Sequence, residues 1–148
     1  MTGVQEQFEV GASLPPLRKV MSLDEMTEFE ACSAEMMNAK TLKPGIHTDR
    51  EQARQAGFRS PVASGMMTVA YFNQLLRQAF GEAWTTTGHL SVALVGPLGS
   101  EDEAILGGVV KGRSEDGARL EIEVWCENQR GEKVAVGSAD LSVGGSVA

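Results

Sequence analysis

Residues 44–80, PGIHTDREQARQAGFRSPVASGMMTVAYFNQLLRQAF, decide how this chain is read. They contain His47, one of only two histidines. Thr48 followed three residues later by Glu51 is a capping-box spacing, in which a hydroxyl and a carboxylate satisfy free backbone N–H groups at a helix start. His47 then stands just outside that start. The short helix turns Ala53 and Ala56 inward and stops at Gly57, suited to a left-handed cap, and Pro61 forces a new direction. From about Ala63, residues Met66, Met67, Val69, Ala70, Tyr71, Phe72, Leu75, Leu76, Ala79 and Phe80 leave only a thin polar edge of Thr68, Asn73, Gln74, Arg77 and Gln78. A helix this apolar all round is expected to be enclosed by the protein. Its start at Ser64-Gly65 would present unpaired N–H groups and a partial positive charge, a place to hold an oxygen that becomes negative.

Outward from that stretch, the 148 residues suffice for one domain, 1–148, with 1–7 and 144–148 read as loose tails. No apolar run approaches the ~18 residues of a membrane span. The beginning MTGVQEQFEV lacks the basic-then-apolar layout of an export signal, so the expected location is the cytoplasm. Cys32 and Cys126 show no C-x-x-C spacing, which argues against a disulfide framework and a zinc site; no metal is expected. A net charge of −7 disfavours a nucleic-acid partner. Cations nevertheless gather at Lys40, Lys43, Arg50, Arg54 and Arg59. They form either a phosphate-contacting segment, with Arg50, Arg54 and Arg59 as its candidates, or a solvated helix face.

Before the stretch, Phe8 to Val10 and Leu17 to Val20 read as short strands at an edge, separated by Gly11 and Pro15-Pro16. Ser22 with Glu25 repeats the capping box and opens a helix to about Glu35, and Met36 to Ile46 reads as a loop. After the stretch, residues 81–88 read as a turn-rich connection. Strand-like runs follow at His89 to Val95, Ala104 to Lys111, Arg119 to Glu127 and Lys133 to Val143, and short turns between them predict an antiparallel meander. Leu120, Ile122, Val124 and Cys126 alternate with polar neighbours, as Val134 and Val136 alternate with Ala135 and Gly137, so one face of the sheet is covered. The long helix is the cover available. The fold class is α+β: an antiparallel sheet wrapped round a central helix.

The segment IHTDREQARQAGFRSPVASGMM resembles the MaoC-like, or R-specific enoyl-thioester hydratase, family of the hot-dog superfamily. The likeness lies in the His-x-Asp, the alanine-containing short helix, the Gly-Phe and the Ala-x-Gly-Met opening the central helix. FGEAW and the strand HLSVALVGPL extend it. The resemblance implies a lyase acting on an acyl thioester, with His47 as catalytic acid or base and the Gly65 N–H as donor to the thioester carbonyl oxygen. Ser64 and Met66 would line the substrate beside Gly65, and Asn73 falls where relatives often carry a polar side chain near the catalytic pair. Three departures stand out. Leu42 occupies the spacing at which the family carries its aspartate, and aligning from the preceding helix brings Glu35 to that place. Ser64 replaces the usual histidine of Ala-His-Gly, and Glu101-Asp102 replace a compact Gly-Asp turn.

Hydration of an enoyl thioester needs a proton taken from water, one delivered to the α-carbon, and a donor for the enolate oxygen. The sequence supplies the histidine and the N–H; for the carboxylate it offers Glu35, or Asp49 unless Asp49 serves the helix start. His89 reads as structural. Other readings remain: a hot-dog enzyme with changed chemistry (thioesterase, cyclase or isomerase), or a non-catalytic thioester-binding protein. The implied partner is an acyl-CoA or acyl carrier protein thioester, with CoA or phosphopantetheine entering as part of the substrate and no separate cofactor. A homodimer or higher homo-oligomer is expected, because one sheet round one helix leaves edges and an apolar flank open.

Overall fold

In a computed structural model, residues 8–36 and 44–144 are described. The elements run β1 (Leu17–Val20), α1 (Leu23–Met36), α2 (Arg50–Gln55), α3 (Gly65–Phe80), α4 (Glu82–Thr87), β2 (His89–Leu94), β3 (Glu103–Arg113), β4 (Arg119–Glu127) and β5 (Lys133–Ser142). The five strands form one antiparallel sheet in the order β1-β3-β4-β5-β2. Phe72, Leu75, Leu76 and Phe80 of α3 are buried in one core with Leu106 and Val110 of β3, Leu120, Ile122 and Val124 of β4, and Ala139 and Leu141 of β5. This is the α+β hot-dog arrangement expected from the sequence. No helix among the described residues is long and apolar enough to cross a membrane.

Several local expectations change. Only β3, β4 and β5 form a meander; β2 pairs with β5 at the far edge, His89 opposite Asp140 and Leu94 opposite Ala135. Residues 95–102 carry the chain from β2 back to β3, three strand positions away. At about 3.3 Å per extended residue they can cross spacings of about 4.8 Å each. Phe8 to Val10 is a turn rather than a strand, and Phe8 stacks on Phe80 with ring centroids 5.2 Å apart. Residues 82–87, read as a turn, are helical: the Thr86 and Thr87 hydroxyls donate back to the carbonyls of Glu82 and Ala83, and the Gly88 N–H closes the last turn of α4 on the Trp84 carbonyl.

In β5 the alternation breaks, because a register shift opposite Cys126/Glu127 turns both Val134 and Ala135 inward and leaves Val136 exposed. The central helix is also less enclosed than its composition predicts. Thr68, assigned to the polar edge, is buried, whereas Met66 is 68% exposed and Ala70, Asn73 and Arg77 continue that open face at helical spacing. The loop expected at Met36 to Ile46 lies largely outside the described residues, as do the tails 1–7 and 145–148.

Candidate active site

The short helix α2 is capped by Asp49, not Thr48: its carboxylate accepts the Gln52 N–H at 2.8 Å, while the Thr48 hydroxyl accepts the Gly45 N–H at 3.4 Å. An aspartate at the N-cap is equally suited to a free N–H, and it adds a charge that favours the helix dipole. Glu51 then turns to Arg54, which grips both its oxygens at 2.6 and 3.0 Å and holds the carboxyl below its ordinary range. At the other end Gly57, with φ +94°, completes a Schellman turn in which the Phe58 N–H reaches the Ala53 carbonyl and the Gly57 N–H the Arg54 carbonyl. The chain therefore reverses sharply at Gly57.

That reversal lays residues 61–63 between two other segments. The Val62 N–H donates to the Ile46 carbonyl at 3.0 Å, the Ala63 N–H to Leu98 at 2.7 Å, and the Ser100 N–H to Pro61 at 2.8 Å. His47 is fixed against the same segment: its Nδ1 lies 2.7 Å from the Val62 carbonyl. A carbonyl oxygen only accepts, so Nδ1 carries the proton and Nε2 is the nitrogen left to take or give one.

Two residues beyond Val62, Ser64 caps α3, its hydroxyl accepting the Met67 N–H at 3.3 Å. Among the described residues no acceptor stands on the N–H of Gly65 or Met66, the first two of the helix. The end of α3 opens on a cavity of about 300 Å³ lined by Phe58, Val62, Gly65, Thr68, Leu94 and Leu98, among others. A Cβ at position 65 would run into Leu94 Cδ1, so glycine lets that side chain lie against the helix start. Val62 belongs to this lining, which brings His47 and Gly65 to the two ends of one short, doubly tethered segment.

A second cavity of about 350 Å³ shares Phe58, Val62 and Pro97 with the first and adds Arg59, Ser60, Asp102, Arg130 and Glu132. Arg130 donates to Glu132 at 2.8 Å and lies 3.5 Å from Asp102, so its charge is largely answered. Of the cations singled out in the sequence, Arg59 faces this cavity, Arg54 is engaged by Glu51, and Arg50 is exposed. Arg130 carries no signal of its own in the sequence, because it lies in a turn about seventy positions from Arg59 that only the β4–β5 connection brings alongside.

The remaining candidates are not bonded to His47 among the described residues. Glu35 is exposed at the end of α1, and neither it nor Asp49 is hydrogen-bonded to His47 among the described residues. Asn73 is two turns down α3 from Gly65, where its amide donates to the Val69 carbonyl and its oxygen accepts the Trp84 indole N–H at 3.0 Å. It is a tie between α3 and α4 rather than a member of the His47 cluster. Met66 points outward, and only its neighbour Met67 is buried.

A fold of this kind, carrying a histidine and an open helix start on one tether, is matched by the family model described as "MaoC like domain" over residues 44–124. More than half of the chain is covered, and the protein belongs to the MaoC-like family. No curated protein sequence matches it. Among solved structures it is similar to an (R)-hydratase from A. caviae involved in PHA biosynthesis, with a TM-score of 0.74 at 22% identity over 92% of this chain and 97% of that one. An unliganded R-hydratase from Pseudomonas aeruginosa gives 0.74 at 17%, covering 92% and 82%. The HadBC 3R-hydroxyacyl-ACP dehydratase complex from Mycobacterium tuberculosis gives 0.66 at 16%, covering 90% and 96%. At such identities the likeness is one of fold.

Proposed function

We propose that this protein hydrates an enoyl thioester, or dehydrates the 3-hydroxyacyl thioester, carried on CoA or an acyl carrier protein. The observation that carries the reading is the His47 Nδ1 bond to the carbonyl of Val62, which leaves Nε2 free for proton transfer and ties the imidazole to a residue that lines the cavity at Gly65. His47 moves the proton between water and substrate, and the Gly65 N–H holds the carbonyl oxygen as it gains charge. The apolar lining around Gly65 receives the acyl chain, and the neighbouring cavity with Arg59 and Arg130 receives the pantetheine arm.

Asp49 is committed to the α2 cap. The assisting carboxylate we propose is Glu35, on the alignment from α1 alone, since it is exposed at the end of that helix and makes no bond to His47 among the described residues. Incubation with a short trans-2-enoyl-CoA tests both points: loss of the enoyl absorbance in wild type, its absence in Glu35→Gln with an unchanged melting temperature, and near-normal turnover in Asp49→Asn support the assignment. Full activity of Glu35→Gln with a dead Asp49→Asn would reverse it. Release of free thiol in place of hydration would favour the second reading, a thioesterase, for which the absence of a carboxylate on His47 among the described residues is the supporting observation.

The working unit is proposed to be a dimer or higher homo-oligomer. Met66, Leu94 and Val95 are 68%, 54% and 55% exposed along α3 and the β2 edge, an apolar flank that a second copy would cover. Light scattering should give at least twice the chain mass; a stable monomer at micromolar concentration contradicts this.

A further inference from the structure

The cavity at the start of α3 is lined almost wholly by apolar side chains: Phe58, Val62, Ala63, Leu94, Leu98 and Val134. Thr68 is the exception. It is 3% exposed, yet its hydroxyl bonds to no described residue, and it does not bond back to the carbonyl four residues earlier as Thr27, Thr86 and Thr87 do. Ser100 Oγ is the one side-chain polar atom among the described residues that is both sealed off and unpartnered. Thr68 lines the cavity, and its hydroxyl has no partner among the described residues. Thr68 lies three residues after Gly65, on the same helix face, and helical side chains lean toward the N-terminus. Thr68 thus follows Gly65 by a little under one helical turn along the same wall.

We infer that Thr68 is a specificity-determining residue that hydrogen-bonds an oxygen substituent, a hydroxyl or keto group, on the acyl chain beyond the reacting carbons. The inference rests on the acyl-thioester reading of the cavity. A plain alkyl chain filling this slot would displace water from Thr68 and leave the hydroxyl buried with no partner, which disfavours binding. An oxygenated chain restores the bond, and sites that hydrogen-bond a substrate hydroxyl discriminate strongly against the analogue lacking it.

Calorimetric titration with two unreactive thioesters, hexanoyl-CoA and 5-hydroxyhexanoyl-CoA, tests this without requiring turnover. Wild type is expected to bind the hydroxylated chain roughly tenfold or more tightly. Thr68→Val, which keeps the shape but not the hydroxyl, should erase that preference, and Thr68→Ser should retain it. Equal affinities in wild type, or a preference that Thr68→Val leaves intact, would overturn the role of Thr68 while sparing the thioester reading. Binding of neither thioester would overturn both. A melting curve for each variant separates loss of preference from loss of fold.

Discussion

The two ends of α3 are built on opposite plans. At its C-terminal end the polar groups are answered: the Gly81 N–H reaches the Arg77 carbonyl, Asn73 spans to the Trp84 indole, and Phe80 stacks on Phe8. At its N-terminal end the Gly65 and Met66 N–H groups and the Thr68 hydroxyl have no acceptor or donor among the described residues, and a cavity faces two of them. Of these only Thr68 is buried, and a buried hydroxyl is costly to leave without a partner unless water or a ligand supplies one. One end of the helix is made for stability. The other leaves polar groups open, three residues beyond the Val62 carbonyl that holds His47.

The contrast breaks or sharpens under substitution. Trp84→Ala, at the C-terminal end, should lower stability most, by about 3–5 kcal/mol, since a buried aromatic leaves a cavity and α4 loses its anchor. Chemical denaturation measures it, and a loss below about 1 kcal/mol would mean that this end is not held by Trp84. Asn73→Ala should cost less, about 0.5–1.5 kcal/mol, because Asn73 is exposed and water can take the place of its amide oxygen at the indole N–H. Its turnover should stay near wild type. A fall in turnover with the melting temperature preserved would return Asn73 to the catalytic group and dissolve the distinction between the ends.

The smallest effect is one of pH and belongs to the core rather than the site. Burial pushes the Cys126 thiol up to about 11 from an ordinary 9.0. Between those values the unfolded chain loses this proton while the folded one keeps it, so stability present below pH 9 declines as pH rises toward about 11. Cys126→Ala should remove that component from the pH profile of unfolding. Cys32 is exposed and should take an alkylating reagent while Cys126 is protected.

The sheet and the central helix are legible in the sequence because their signals are periodic. β4 alternates cleanly and α3 is long and apolar, so neither depends on distant partners to be recognised. The order of strands is not legible: nothing in residues 89–94 says that they pair with β5 across the sheet rather than with β3 next in sequence. The cap at α2 differs by one residue from the expected one because Thr48 and Asp49 both satisfy cap chemistry, and only the backbone bend decides which serves. His47, Ser64 and Gly65 stand out by their motif, whereas Thr68 falls on the opposite face from the one its polarity suggests. A threonine amid apolar residues looks like an exposed edge until the surrounding strands are in place. The long-range partners of the site, Val62 for His47 and Arg130 for Arg59, carry no local signal at all.

The central claim, that the open end of α3 and His47 form one reaction site, is tested most directly by steady-state hydration of a short trans-2-enoyl-CoA by wild type and His47→Ala. Removing the acid–base group should lower turnover by about a hundredfold or more. Among the described residues the His47 side chain makes one hydrogen bond, to the Val62 carbonyl, so the variant should remain folded. Equal turnover by the two proteins would contradict the account and leave His47 as a brace for the segment that leads into α3.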